Sequence, residues 1–306
     1  MLFRSTKSDL VIAGIDSHHS QLLPWRQVAT LRFIQTDDYG RIDLDHFQTL
    51  LALRPKVIAL THCSNVTGVV HPVEQMIAMI RKQSDAIIVL DAAQSLPHGR
   101  LNLHTLGADF VAFSAHKMLG PTGLGFLYAN RHRLDSLKPL QFGGGTVDWV
   151  DTDGQISRRA PYHLEAGTPA IASVIGAGAS FRLLAGFDET ALRAHDRNLV
   201  NSLLSGAASR PYLKLIGPSD GENRHAIGAF KFSDCVSVGE IARLLSDAYG
   251  IMCRSGYMCA QPFVGALAGG EILRASAYLY NTTADIDALY QALDDLAECM
   301  GLPTIN

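Results

Sequence analysis

A lysine, Lys117, stands just past a short apolar run, Phe110 to Phe113, behind Ser114 and His116 and ahead of the glycine-bearing stretch Leu119-Gly-Pro-Thr-Gly-Leu-Gly125. Upstream, a second apolar run, Ala86 to Leu90, ends on Asp91-Ala-Ala-Gln94. With both runs as neighbouring strands, an amine, a carboxylate and an amide emerge together at the carboxyl edge of a sheet, where open α/β folds bind their ligands. Taken singly, Lys117 reads as a solvated loop residue and Asp91 as a turn or helix cap. Order and spacing together point to chemistry.

Pyridoxal phosphate needs such a set. Lys117 supplies an amine for an imine with the cofactor, and burial would keep that amine partly neutral. Asp91 holds the pyridine nitrogen protonated, which makes the ring an electron sink. Gln94 reaches the phenolic oxygen, and Ser114 and His116 donate to the phosphate from a loop of small residues.

Nearly the whole chain resembles the class V aminotransferase-like proteins of fold type I, closest to the cysteine desulfurase and selenocysteine lyase group. The resemblance rests on these segments, in the family's order: Asp16-Ser-His-His-Ser-Gln21 with Pro24-Trp25, Thr61-His-Cys-Ser-Asn-Val-Thr-Gly68, Asp91-Ala-Ala-Gln94 and Ser114-Ala-His-Lys117. Further on come Gly143-Gly-Gly145, Glu165-Ala-Gly-Thr-Pro169, Arg254-Ser-Gly-Tyr-Met-Cys-Ala-Gln-Pro262 and Arg274-Ala-Ser-Ala-Tyr-Leu-Tyr-Asn-Thr282. The resemblance implies that His18 stacks on the pyridine ring and moves protons, a task suited to a flat group titrating near neutrality. It further implies that Asn65 contacts the cofactor oxygen and the substrate carboxylate. Arg254 and Arg274 resemble the family's carboxylate clamp and its neighbour, since arginine's planar fork matches a carboxylate bidentately. Thr168 would donate to the phosphate of the partner in a homodimer with shared active sites.

Cys259 separates a desulfurase from a mere aminotransferase relative. In the resembling group a thiolate at this position takes sulfur from L-cysteine or selenium from selenocysteine, leaves alanine, and passes sulfur on as a persulfide to an acceptor protein. Of the five cysteines, Cys63, Cys253 and Cys299 read as small buried hydrophobes and Cys235 as ambiguous. No Cys-x-x-Cys pair is present, so no metal site is expected, and the odd count suits a reducing, cytoplasmic compartment. Two stretches depart from the family's pattern: Ser17-His-His-Ser-Gln21, and Gly256-Tyr-Met-Cys259, which lacks a loop histidine before the cysteine. Alternatives are another reaction on the same cofactor (racemisation or epimerisation, C–S lysis, transamination), with Cys259 a bystander, or an inactive shortened homologue acting as a scaffold.

Short apolar runs alternate with helical patterns, which predicts an α/β fold with a mainly parallel sheet. Expected strands are Leu10 to Ile15, Lys56 to Leu60, Ala86 to Leu90, Phe110 to Phe113 and Gly125 to Ala129. Expected helices are Leu44 to Leu51 and Val73 to Lys82, followed by a long small-residue helix from Ala170 to Ala185. A smaller carboxy-terminal α/β domain should hold strands at Leu213 to Ile216, Ile227 to Phe232 and Ile272 to Ala275, closed by a helix from Ala284 to Cys299. The expected division is residues 1–185 for the cofactor domain and 186–306 for the small one. At 306 residues, 47% hydrophobic, with a net charge of −3, the chain can bury a large core and shows neither the basic footprint of a nucleic-acid binder nor an apolar run of membrane-spanning length. Alignment with the family places Met1 inside the cofactor domain, with about a hundred residues, approaching domain size, preceding it in relatives. Those residues carry a phosphate-cupping turn at a helix start, so the expectation is weaker cofactor binding and exposed apolar surface.

Overall fold

The segment Val57–Thr61 is buried along its whole length, as expected of a strand covered on both faces. It lies near the centre of a six-stranded sheet in the computed structural model, which describes residues 6–305. The outermost residues of the predicted divisions, 1–5 and 306, lie outside the described residues. The sheet is built from β1 (Leu10–Gly14), β2 (Thr30–Ile34), β3 (Val57–Thr61), β4 (Ile87–Asp91), β5 (Phe110–Ser114) and β6 (Gly125–Ala129), in the order β2-β1-β3-β4-β5-β6. All pairs are parallel except the antiparallel β5–β6 pair at one edge.

Helix α1 (His19–Val28) follows β1, α2 (Leu44–Leu51) follows β2 and α3 (Val73–Gln83) follows β3. In α3, Val73, Met76, Ile77 and Ile80 recur at three- and four-residue spacing and are buried, together with Phe47, Leu50 and Leu51 of α2, against Ile12, Ile58, Ile88 and Val111 of the sheet. Each such side chain, fully covered, contributes about 1.5–3 kcal/mol of transfer free energy. Asp43 caps α2 by accepting from the His46 amide.

Beyond β6 come a single turn, α4 (Arg131–Leu134), and a hairpin, β7 (Val147–Val150) with β8 (Gln155–Ser157). The predicted small-residue helix is α5 (Ile171–Gly186), and α6 (Glu189–Ala208) follows after a 90° turn at Phe187 and Asp188. No single helix among the described residues is long and apolar enough to cross a membrane; α5 and α6 reach that length and composition only as this bent pair. A second sheet, in the order β11-β12-β10-β9, contains β9 (Lys214–Ile216), β10 (Ile227–Lys231), β11 (Arg254–Gly256) and β12 (Ile272–Ser276). It packs with α6, α7 (Val238–Tyr249) and α9 (Thr283–Met300) around Phe230, Leu245, Tyr290 and Leu293, while α8 (Gln261–Ala268) covers its Met258 and Ile272 side.

The two sheets meet at residues 64–71. Val69 bridges to Arg224, and Gly68 holds φ 75 with its Cα so close to the His225 carbonyl that a Cβ would stand 2.6 Å from that oxygen. Only glycine fits both the conformation and the approach. This contact brings the start of β10 against the carboxyl end of β3.

Candidate active site

Strand order reverses at β1, since β2 lies on one side of it and β3 on the other, and an open α/β sheet forms its ligand crevice at such a point. The register Thr61↔Asp91 and Asp91↔Ala112 lines up the carboxyl ends of β3, β4 and β5. There a cavity of about 550 Å3 opens, and its walls include His18, Asn65, Asp91, Gln94, Ser114, His116, Lys117, Arg254 and Arg274. Nine of the predicted residues, from six separate stretches of sequence, therefore share one cavity.

Lys117 sits in a one-turn 3-10 helix, Ala115–Met118, directly after β5. The turn ends at Leu119, a left-handed residue whose carbonyl accepts from Ser180 of α5 at 2.9 Å. Behind it, Phe113, Phe126 and Phe181 form a ring cluster with centroids 5.1 to 6.4 Å apart, which fixes α5 against β5 and β6. Burial pushes the Lys117 ammonium down and Arg274 pushes the same way, while Asp91 resists. The net effect favours the neutral, nucleophilic amine.

Asp91 anchors itself by accepting from the Ala93 amide at 2.9 Å. Burial raises its pKa, and the Ala93 hydrogen bond, Lys117 and His18 pull the other way. His18 caps α1, its Nδ1 accepting from the Ser20 amide at 3.2 Å. Burial lowers its pKa against the pull of Asp91, and the charges of Lys117, His19 and Arg254 add to the lowering.

Cys259 lies beside the cavity. Arg254 donates from Nη2 to its Sγ at 3.1 Å, and its own carbonyl accepts from the His19 amide at 2.9 Å. Met258 and Cys259 both hold left-handed backbone, φ 53 and φ 56, which for non-glycine residues stores on the order of 1–3 kcal/mol each and persists only where surroundings impose it. Asn65 is part of that imposition: its amide donates to the Met258 carbonyl at 2.8 Å, while its own carbonyl accepts from Arg274 at 2.7 Å. Asn65 thus braces the cysteine loop as well as facing the cavity. Arg274 keeps a buried Nε without a hydrogen-bond partner, a donor of the kind a bound carboxylate would satisfy.

The sequence reading needs correction at one cysteine. Cys299 is exposed, because the last turn of α9 leaves the core cluster after Leu296. Cys63 is buried as expected, with burial driving its thiol far above the ordinary range, and Cys253 is partly buried and pushed up to about 11 for the same reason. Cys235 is exposed. Thr168 is exposed and outside this cavity. Ser20, Thr61, Ser276, Tyr278 and Tyr280 also line the wall without having been singled out. Tyr278 and Tyr280 fall inside the Arg274 to Thr282 stretch, but nothing in their spacing distinguishes lining rings from core rings.

The fold and this constellation define a class. The sequence profile of class-V aminotransferases matches residues 3–289, and the chain belongs to that family. Within it, the chain is 40% identical over 286 residues to a probable cysteine desulfurase 2 of Mycobacterium leprae, covering 92% of this chain and 67% of that relative. Among solved structures it is similar to a cysteine desulfurase from Thermococcus onnurineus (TM-score 0.90, 32% identity, 96% of this chain and 74% of that one). A cysteine desulfurase from Escherichia coli, solved as its S-sulfonic acid, matches at TM-score 0.89 and 33% identity, over 97% of this chain and 74% of that one.

Proposed function

We propose that this chain is a pyridoxal-phosphate enzyme that takes sulfur from L-cysteine, releases L-alanine and carries the sulfur on Cys259, working as a two-fold homodimer. The observation that carries this reading is the Arg254–Cys259 contact: a thiol held by a guanidinium that itself lines the cavity of Lys117 and Asp91.

The donor set fits the cofactor. Lys117 would hold its aldehyde carbon, Asp91 its ring nitrogen and Gln94 its phenolic oxygen, with Ser114 and His116 donating to its phosphate. When bound, pyridoxal phosphate supplies a sink for the electron pair at the substrate α-carbon. Arg274 and Arg254 orient the substrate carboxylate, and Lys117 and His18, both biased toward their neutral forms, take and return the α-proton. The Cys259 thiolate attacks the substrate sulfur. As the Sγ–S bond forms, the C–S bond breaks with its electron pair left on the β-carbon, which takes a proton to become the methyl group of alanine. Sulfur stays on Cys259 as a persulfide, open to a second thiol.

The dimer reading is supported by α5, apolar except at Ser173, Ser180 and Arg182 yet with only Ala177 buried: Ile171, Ile175 and Leu183 are 57%, 67% and 55% exposed. Thr168 precedes this face.

The test is to mix the protein with pyridoxal phosphate, L-cysteine and a reducing thiol, and to measure alanine and sulfide. Equal yields of both support the reading. Cofactor-loaded protein that turns cysteine over to a keto acid or racemate, with no alanine, overturns it.

A further inference from the structure

Behind the Pro97–His98 wall of the active-site cavity lies a second cavity of about 670 Å3. Three side chains converge on it from distant parts of the chain: His98 from the loop after β4, Asp196 from α6 and His225 from the segment leading into β10. The Asp196 carboxylate receives both imidazoles, His225 Nδ1 at 2.7 Å on one oxygen and His98 Nδ1 at 3.2 Å on the other. The three side chains are 7%, 15% and 16% exposed in the order His98, Asp196, His225, and one ligand atom from each lies within 4.8 Å of the others.

We propose that His98, Asp196 and His225 form a binding site for a borderline transition-metal dication such as zinc, with water from the cavity completing its coordination. Two imidazole nitrogens and one carboxylate, with an open position, are a donor set for such an ion and not for calcium or magnesium, which take oxygen ligands. Burial pushes the Asp196 carboxyl up, but the hydrogen bonds it accepts from His225 and His98 outweigh it and hold the group well below its ordinary range. Burial pushes the His225 imidazole down against the pull of Asp196, toward the neutral form in which an imidazole ligates.

The same cavity wall carries His62, whose Nδ1 is buried without a partner, and Glu74. Five arginines also line this cavity: Arg41 pairs with Asp220 and Arg193 with Glu189, Arg100 and Arg224 donate to backbone carbonyls, and Arg197 is the fifth. What repulsion remains works against any ion held by charge alone and leaves nitrogen ligation as the source of selectivity. The His98 and His225 rings are stacked, 4.3 Å between centroids and 18° apart. A shared ion must lie near both ring planes, so binding requires one imidazole to turn about its Cβ–Cγ bond.

The bound ion would tie the loop after β4 to α6 and to β10, across the seam between the sheets. His98 also lines the active-site cavity, where the Tyr278 ring meets its edge at 5.1 Å and the Tyr278 hydroxyl donates to the Pro97 carbonyl at 2.7 Å.

The test titrates zinc into the chelator-stripped full chain by calorimetry, with cobalt as a spectroscopic substitute, in parent, His225→Gln and His98→Gln proteins. Glutamine keeps a donor for Asp196 but is a poor metal ligand, so the variants retain the hydrogen-bonded arrangement. The expected result is about one zinc bound per chain, a melting temperature that rises with zinc concentration, and affinity reduced at least about tenfold in each variant. The two variants are independent, so misfolding of one leaves the other decisive. No zinc binding by the parent, or parental affinity in a folded variant, overturns the proposal and leaves the triad a hydrogen-bonded clamp.

Discussion

Lys117 and Cys259 are expected to separate two halves of the chemistry. Lys117→Ala removes the amine that would hold the cofactor, so both turnover and the covalent adduct fixed by borohydride should vanish; cofactor recovered on another lysine would overturn the assignment. Cys259→Ala leaves every cavity-lining group in place, so cofactor absorption should persist while alanine release from cysteine drops to background. His18 is a third case, and its sign can be worked out. Its pKa is pushed below 6.5, chiefly by burial, so the neutral form required to accept a proton survives to lower pH than for an ordinary imidazole. The acid limb of kcat/KM should therefore lie below that value, and His18→Gln should lose both that limb and about 10²–10⁴-fold in rate. At this scale the site was largely legible, because Lys117, Asp91, His18 and the two arginines carry reactive groups in a recognisable order. Asn65's brace on Met258 was not, since it depends on a contact between residues 193 positions apart. The exposure of Cys299 was missed for a different reason: helical periodicity cannot say where a terminal helix runs past its core.

Elements were legible where apolar periodicity is strong and faint where it is not. The strands β1, β3, β4, β5 and β6 and the helices α2 and α3 lie within a residue or so of expectation. β2 was not foreseen because it is a five-residue edge strand pairing only with β1; Thr30 and Arg32 face water and Leu31 and Phe33 turn inward, but an alternation that short does not stand out in the sequence. β11, three residues long, presents Arg254 but has no pattern to read. α6 hides its identity by confining its buried residues to Leu199, Val200, Leu203, Leu204 and Ala207 in its second half. That half contains Gly206, where a Cβ would collide with the Tyr290 ring of α9. Tyr290 is pinned there, its hydroxyl donating to the Leu203 carbonyl and its face covered by Arg210 at 4.5 Å. Gly206→Ala should therefore destabilise by about 1–3 kcal/mol through overpacking, despite alanine's advantage of about 1 kcal/mol in a free helix. Urea melts of the two proteins check this; a variant as stable as the parent would show that α6 and α9 separate freely.

For the whole molecule, the exposed apolar face of α5 leads to the expectation that sedimentation finds a dimer and that Ile175→Glu shifts it toward monomer; an unchanged dimer would place the interface elsewhere. Stability should also depend on pH in a defined window, because several histidines lie buried at the seam. His62 is pushed down to about 4, chiefly by burial, from an ordinary 6.5, and His18 and His225 shift the same way. Between those values the unfolded chain binds a proton at His62 that the folded chain refuses. Stability from this group is therefore complete above 6.5, falls as pH drops toward 4 and changes no further below, a loss on the order of 3 kcal/mol at 1.36 kcal/mol per unit. Asp91, whose pKa is raised by burial, works in the opposite sense, since its folded form takes up a proton before the unfolded one does. Against a total stability of about 5–15 kcal/mol the histidine effect is large. Urea midpoints at about pH 7 and about pH 5 should differ clearly in the parent and much less in His62→Gln, whose amide does not titrate in this range. His62 Nδ1 has no hydrogen-bond partner to lose, so the variant should match the parent near neutrality. Equal pH sensitivity in the two proteins would mean that His62 is hydrated in solution and that the acid response originates at His18 and His225, whose ordinary value of 6.5 lies in the same window.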